Sequence, residues 1–422
     1  MKKLAVMILG VTTLVVNALC SEQNVDGDRL HSVKEAVYSV GKVEQKEVSV
    51  VDSVRHMFED GKVSGQIRVE YASYNQKQSS EPDTYATALG GILKYELAEF
   101  NGFNAAAAVY TAHDITPLSG DGVKHNPELS SSKGTFTEMS EAYVNYHYKD
   151  LTLRAGRQLL DTPLANSDDI RVIQNTFEAY VATYDYKGFA LMAGHINLWQ
   201  GFDADLDDGW NKTGEHGTNF GGISYDDVWE FNLWYYNITK QTNASYLDVG
   251  IQYKINRMMT LHAMLQYLQE DELSNSGYDA KIYGGMFEYV IDGLGFNIAY
   301  DQADCRNAKQ SFSGTGSGTL FTSMDTMILD TIAQDRKANA IVSGISYNYK
   351  NVNFLYAYGS FKGDANSLGK KEYIVEQNIG FEYNVNDKFT AAAIYVLEED
   401  KQNQQKTAYD FDRAQVMLNY NF

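Results

Sequence analysis

From Val63 to the C-terminus, apolar and polar positions alternate with period two, in segments of about ten residues divided by polar breaks. In the last segment Ala414, Val416, Leu418, Tyr420 and Phe422 fall on one side, and Arg413, Gln415, Asn419 and Asn421 on the other. This is the pattern of β-strands with one apolar face. It fits a soluble sandwich and a membrane barrel equally well, and the spacing of the breaks separates the two. Short breaks occur at Ala98 to Gly102, Lys149-Asp150, Lys187-Gly188, Asp226-Asp227, Asn256-Arg257, Asp292-Gly293, Lys350-Asn351 and Asn386-Asp387. Longer irregular stretches lie near 75–83, 113–136, 159–175, 198–217, 239–243, 270–277, 304–336, 362–371 and 399–408. Eight short turns alternating with nine long loops join 18 strands. The expected fold is all-β: an antiparallel transmembrane barrel over residues 63–422, with short periplasmic turns and long extracellular loops.

Proline and the aromatics agree with that map. Pro82, Pro117, Pro127 and Pro163 all lie in assigned long loops, where the missing N–H breaks no ladder. Of the 31 Tyr, those at 95, 146, 148, 253, 289, 347, 349, 383 and 420 fall near the short-turn ends of strands, as an interfacial girdle requires. Gly90-Gly91, Gly284-Gly285 and Gly344 suit the curvature of a closed sheet. A helical membrane protein needs apolar runs of about 18 residues. Beyond residue 20, runs such as Ala105 to Tyr110 fall far short of that.

The N-terminus sets the compartment. Residues 1–20 have a basic start at Lys2 and Lys3, an apolar stretch from Leu4 to Val16, and Ala18 and Cys20 at the cleavage positions of a secretory signal peptide. Lipidation of Cys20 is the weaker alternative, because Leu19 is large for such a site. After removal only Cys305 remains, so no intramolecular disulfide can form. Residues 21–62 differ in texture: Leu30, Val33, Val37 and Val40 have helical spacing, and Val51, Val54 and Phe58 repeat it before Gly61. One or two short periplasmic helices are expected there, or else a disordered or oligomerising extension.

Charge excludes one partner class. The chain carries 35 Lys plus Arg against 55 Asp plus Glu, a formal net charge of −20. Nonspecific nucleic-acid binding rests on basic residues neutralising phosphates, so nucleic acid is not an expected partner.

The stretch GRQLLDTPLANSDDIRVIQNTFEA, Gly156 to Ala179, resembles the passage from a barrel strand into the inward-folded third loop of OprD-like outer-membrane porins. The matching elements are Gly156-Arg157-Gln158, Asp161-Thr162-Pro163, Asn166-Ser167-Asp168, Arg171 and Thr176-Phe177-Glu178. GKVSGQIRVEY from Gly61 to Tyr71 and the terminal LNYNF extend the resemblance over about residues 55–422. It implies a bacterial outer-membrane channel for small carboxylates and amino acids, guided by basic residues in the lumen and narrowed by the third loop. Expected partners are outer-membrane lipids, small hydrophilic solutes and the assembly machinery that reads the terminal Phe422, with the protein a monomer or homotrimer.

Carried over position by position, the candidate pore-lining and constriction residues are Arg68, Lys94, Arg154, Arg157, Asp161, Asp168, Asp169, Arg171, Lys254 and Arg413. A charge on the lipid face costs roughly 2–4 kcal/mol at midplane, so strand charges should point inward. Arg154 and Arg157 have opposite parity, and only Arg154 alternates with apolar Leu151, Leu153 and Ala155; both can face the lumen only if the strand ends between them. Glu70, Glu96, Glu141, Glu288, Glu376 and Glu382 share inward parity, a departure from a purely basic lumen. Opposed charged walls can hold a transverse field across the passage, or they can pair off, and the ion preference stays open. In the third loop, Asp161 to Pro163 can instead make a turn, and Asp168 with Arg171 a local ion pair.

No catalytic constellation emerges. The eight His are scattered and form no zinc motif, and no phosphate loop or nucleophile elbow occurs. No cofactor is expected. The run FDADLDDGW could offer Asp203, Asp205 and Asp207 to a calcium ion, but Asp208 stands where an EF-hand needs Gly, and Gly214 where it needs Glu. The reading is a porin for passive, partly selective diffusion, not an enzyme. The rivals are an outer-membrane hydrolase and a structural or adhesive barrel using residues 304–336, whose SFSGTGSGTLFTSM run suggests flexibility. The roughly 40 residues before the barrel are too few for the plug of an active transporter.

Overall fold

The computed structural model describes residues 50–316 and 318–422. The signal peptide and the Leu30 to Val40 helical spacing lie outside the described residues. A short helix, Val54–Glu59, is capped by Ser53, whose hydroxyl accepts from His56 N at 3.3 Å. It realises the spacing of Val54 and Phe58. Ala98 N donates to Met57 O at 3.0 Å, fixing the helix against the first turn of the barrel.

Eighteen antiparallel strands close on themselves, and the two-residue segment Asn211–Lys212 pairs with the end of the strand Phe189–Gln200. The first strand, Lys62–Gln76, pairs with the second, Thr84–Glu96, and with the last, Phe411–Asn421, so the sheet has no open edge. Individual wall strands run from 8 residues at Leu151–Gln158 to 17 at Leu294–Gln310. The connections alternate as expected from the sequence, except that the fifth loop, 239–241, is a three-residue turn, shorter than the 239–243 stretch suggested.

Two-residue turns form where the residues tolerate positive φ. Lys187 (47°) and Gly188 (87°), and Asp292 (48°) and Gly293 (78°), take the left-handed conformations that match the twist of the flanking strands. The turn lysines Lys149, Lys187 and Lys350 then reach back over Tyr148, Tyr186 and Tyr349, at 5.0–5.3 Å from ring centroids. Within the wall, Gly91 has a φ of 150°, and a Cβ there would lie 1.9 Å from Gln66 O, so the first two strands approach closely only because it is glycine.

Burial is inverted relative to a soluble protein, and this decides between sandwich and barrel. Ile67 is 50% exposed while its neighbour Arg68 is fully buried. Leu89, Leu93, Val144, Leu153, Ile341, Phe354 and Ile379 are likewise exposed, and Glu70, Glu141, Glu288, Glu376 and Arg413 are buried. An apolar exterior over a charged interior is the arrangement lipid demands. Tyr95, Tyr148, Tyr253, Tyr347, Tyr349, Tyr383 and Tyr420 stand exposed at the periplasmic rim, where the girdle belongs.

Candidate pore constriction

The third loop, 159–175, folds into the lumen as a small hairpin. Asp161–Thr162 pairs with Ala165–Asn166 across Pro163-Leu164, which is the turn the Asp-Thr-Pro run allows. Ser167 clamps its base: the hydroxyl accepts from Leu160 N at 2.9 Å, and Ser167 N donates to Leu160 O at 2.8 Å. Leu160 and Leu164 bury against Phe177, Ile196 and Tyr236 on the wall. An apolar anchor therefore holds the loop down and leaves Asp168, Asp169 and Ile170 half-buried toward the passage.

The seventh loop corrects the expectation of a flexible outer segment. The wall strands extend to Gln310 and restart at Gln334, so the loop is 311–333, and it also lies inside the barrel. Asn166 N donates to Thr315 O at 3.1 Å and Thr315 N to Leu164 O at 2.9 Å, so it runs alongside the third-loop hairpin. Leu320, Met324, Met327, Leu329 and Ile332 enter the same apolar cluster as Leu160 and Leu164. Thr322 ties it to the wall through its N and hydroxyl, each 2.8 Å from Asp301.

Three arginines gather where the first and last strands meet. Arg68 donates to Asp169 at 2.8 Å, to Asn419 at 3.4 Å and to the carbonyl of Arg171. Arg413 donates to Asp325 of the seventh loop at 2.6 Å and to Glu128 of the second loop, 115–134, at 2.9 Å. Arg171 donates to Gln415 at 3.2 Å, lies 3.8 Å from Glu128 and stacks over Phe202 at 4.8 Å. Gln415 in turn donates to Glu70 at 2.8 Å. Three guanidinium groups thus meet three carboxylates, Asp169, Glu128 and Asp325, all of them on loops. Asp168 and Arg171 form no direct ion pair among the described contacts.

In the loops themselves, burial opposes ionisation of Glu128, but Arg413 and Arg171 outweigh it and hold its carboxyl below the usual range. Asp168 is the opposite case. Burial and the neighbouring Asp203 push it up to about 8, against a weaker pull from Arg171.

The other sequence-derived candidates separate. Lys94 bonds Glu141 at 2.7 Å, and Tyr110 OH donates to the same carboxylate at 2.9 Å. Arg154 donates to Asn145 at 2.7 Å and lies 4.4 Å over the Tyr143 ring, with no carboxylate among its described partners. Lys254 shares the inward parity of buried Asp248 and is exposed near the periplasmic end. Asp161 is buried in the hairpin. Arg157 does not join the constriction. The strand continues unbroken to Gln158, so Arg157 keeps the outward parity of Leu153 and Ala155. Its guanidinium nonetheless reaches Glu138, whose strand partner is the buried Tyr110, at 3.0 Å and stacks over Trp210 at 4.4 Å.

Asp203 accepts from Asn175 at 2.7 Å, Asp205 from Asp207 N at 3.0 Å and Asp207 from Ser132 N at 2.9 Å. These aspartates tie separate loops together, and among the described residues no group of three His, Cys, Asp or Glu could hold a metal ion.

Sequence reasoning missed Glu128, Asp325 and Glu398. The signal for Asp325 was available, because it sits within LFTSMDTMIL, too apolar for a solvated loop.

Across the lumen, on the four strands Trp229–Ile238, Thr242–Asn256, Met259–Glu272 and Ala280–Ile291, the charges are different. Glu230 lies 3.0 Å from His262 Nε2, and Glu288 is 4.0 Å from Nδ1. Asp248 accepts from Asn232 at 2.8 Å. All five side chains are buried, and no Lys or Arg pairs with these three carboxylates among the described residues.

The chain is similar to several solved porins. Against a BenF-like porin from Pseudomonas fluorescens Pf-5, the TM-score is 0.75 at 14% identity, covering 87% of this chain and 99% of that one. Against Acinetobacter baumannii OccAB4 it is 0.74 at 16%, covering 86% and 98%. Against Pseudomonas aeruginosa OpdK with vanillate it is 0.72 at 17%, covering 87% and 99%. No protein in the curated set matches. The profile of the OprD family of outer membrane porins matches residues 56–422, most of the chain and its entire barrel, and the protein belongs to that family.

Proposed function

We propose that this outer-membrane porin passes small cationic and zwitterionic solutes in preference to anions, by passive diffusion and with no catalytic step. The carrying observation is the charge balance inside the barrel. At the seam the arginines that would attract an anion are committed to Asp169, Glu128 and Asp325. On the opposite wall Glu230, Asp248 and Glu288 face the lumen without a Lys or Arg partner among the described residues. A low-dielectric wall focuses such a field and raises the local concentration of the opposite ion. Arg154, held by Asn145 and Tyr143 alone, is a cation left for a passing carboxylate, which is why a zwitterion fits and a purely anionic solute fits less well.

The outer face carries what membrane insertion needs. Phe422 exchanges hydrogen bonds with Gly65, at 3.0 and 3.1 Å, and stacks on Tyr420, which closes the last strand onto the first. Liposome swelling tests the solute preference. A small diamine and a zwitterionic amino acid should enter faster than a dicarboxylate of equal size. Faster entry of the dicarboxylate would overturn the reading.

A further inference from the structure

Glu376 and Glu398 face each other directly on adjacent strands, Glu372–Asn386 and Phe389–Asp400, and both side chains are buried. Like charges at opposed positions are destabilising, and two close carboxylates seldom both ionise. Hydrogen-bond accounting points the same way. Glu376 accepts from Asp325 N at 3.0 Å, Thr326 N at 3.3 Å and Met327 N at 2.6 Å, the surroundings of a carboxylate anion. The Thr326 hydroxyl lies 2.8 Å from Glu376 and 2.7 Å from Glu398. A hydroxyl has one proton to donate, and two contacts this short between oxygens need two. Glu376 is already supplied with donors, so the second proton belongs on Glu398.

We infer that Glu398 is a proton-binding site whose bound proton latches the seventh loop inside the pore, by donating to Thr326 while Thr326 donates to Glu376. This rests on the porin reading only for its effect on conductance. Asp400, two positions from Glu398 on the same buried face, accepts from Gln402 N at 2.8 Å and from the Asn403 amide at 2.7 Å. Asp325 is neutralised by Arg413 at 2.6 Å and Asp410 by Lys406 at 2.8 Å. The next strand positions on either side are Gly359 and Phe411, which carry no charge. Loss of the proton to bulk water leaves two facing anions and one hydroxyl between them. Repulsion then loosens the part of the loop around Thr326, while Thr322 on Asp301 retains the other part.

Two measurements test the site. In infrared difference spectra of the purified barrel at neutral pH, wild type minus Glu398→Gln should show loss of a protonated carboxylic-acid carbonyl band. Loss of a carboxylate band instead would overturn the assignment whether or not the protein conducts. In planar bilayers, wild-type conductance should rise between about pH 5 and about pH 9, a range spanning ionisation of a buried acid. Glu398→Gln, whose amide still donates to Thr326, should abolish that rise and stay in the low-conductance state. Thr326→Val, which removes the bridge, should conduct at the high level throughout. An unchanged pH response in Glu398→Gln would sink the latch. A wild type that conducts at no pH would instead count against the porin reading, and the infrared result would still decide the proton.

Discussion

The seam of the barrel and the wall opposite it are built from similar residues and use them in opposite ways. At the seam, Arg68 and Arg413 come from the first and last strands, and their guanidinium groups hold the second, third and seventh loops by their carboxylates. On the far wall, Glu230 and Glu288 flank His262 and Asp248 accepts from Asn232, with no Lys or Arg partner among the described residues. A count of lumen charges would treat the two regions as cancelling. Geometry separates them: the seam charges are locally paired with cations, and the far-wall carboxylates have no Lys or Arg partner among the described residues.

Breaking the seam should cost the most. Arg413→Ala strands Asp325 and Glu128, and removal of one partner from a buried pair costs roughly 3 kcal/mol or more. The midpoint of urea unfolding should fall, and open-channel noise should rise as the second and seventh loops lose their anchor. Arg154→Glu should leave stability nearly unchanged and move the zero-current potential in a salt gradient toward stronger cation preference, because it reverses an unpaired lumen charge. Glu230→Gln should move that potential the other way by a smaller amount, as it removes the far-wall carboxylate that His262 holds at 3.0 Å.

The third loop adds a pH term of its own. Asp168, held near 8 by burial and by Asp203, is mostly neutral at pH 7 and ionises as pH rises through that value. Cation preference should therefore increase on the alkaline side, and Asp168→Asn should remove that increment. The smallest effect belongs to Arg157→Ala. Its partly exposed ion pair with Glu138 is worth at most about 1 kcal/mol, and its distance from the seam cluster predicts little change in selectivity. A shift in zero-current potential for that variant would show that the face has been assigned wrongly.

Much of the wall was legible in the sequence because period two is a local property. Alternation placed Arg68 and Arg413 on the inward face, and the proline positions kept the loops apart from the strands. Arg157 lies apart from the seam arginines, because the third-loop motif names the residue and its strand sets the side it takes. The strand carries on to Gln158, and the side of Arg157 follows from that. The seventh loop was misread for a different reason. Its Gly and Ser content suggests flexibility, while its burial depends on Leu164 and Thr315 meeting across the lumen, a contact between residues 151 positions apart. The partners of Arg413 are equally nonlocal, 88 and 285 residues away in sequence. Parity says which way a charge points, and only the folded loops say what it meets.

The central claim is that the seam arginines are neutralised and the far-wall carboxylates set the preference. The zero-current potential of the wild-type protein in a planar bilayer with asymmetric potassium chloride tests it most directly. A potential of the sign that marks potassium as the more permeant ion, diminished in Glu230→Gln, is the expected result. A potential of the opposite sign, with chloride more permeant, would contradict it.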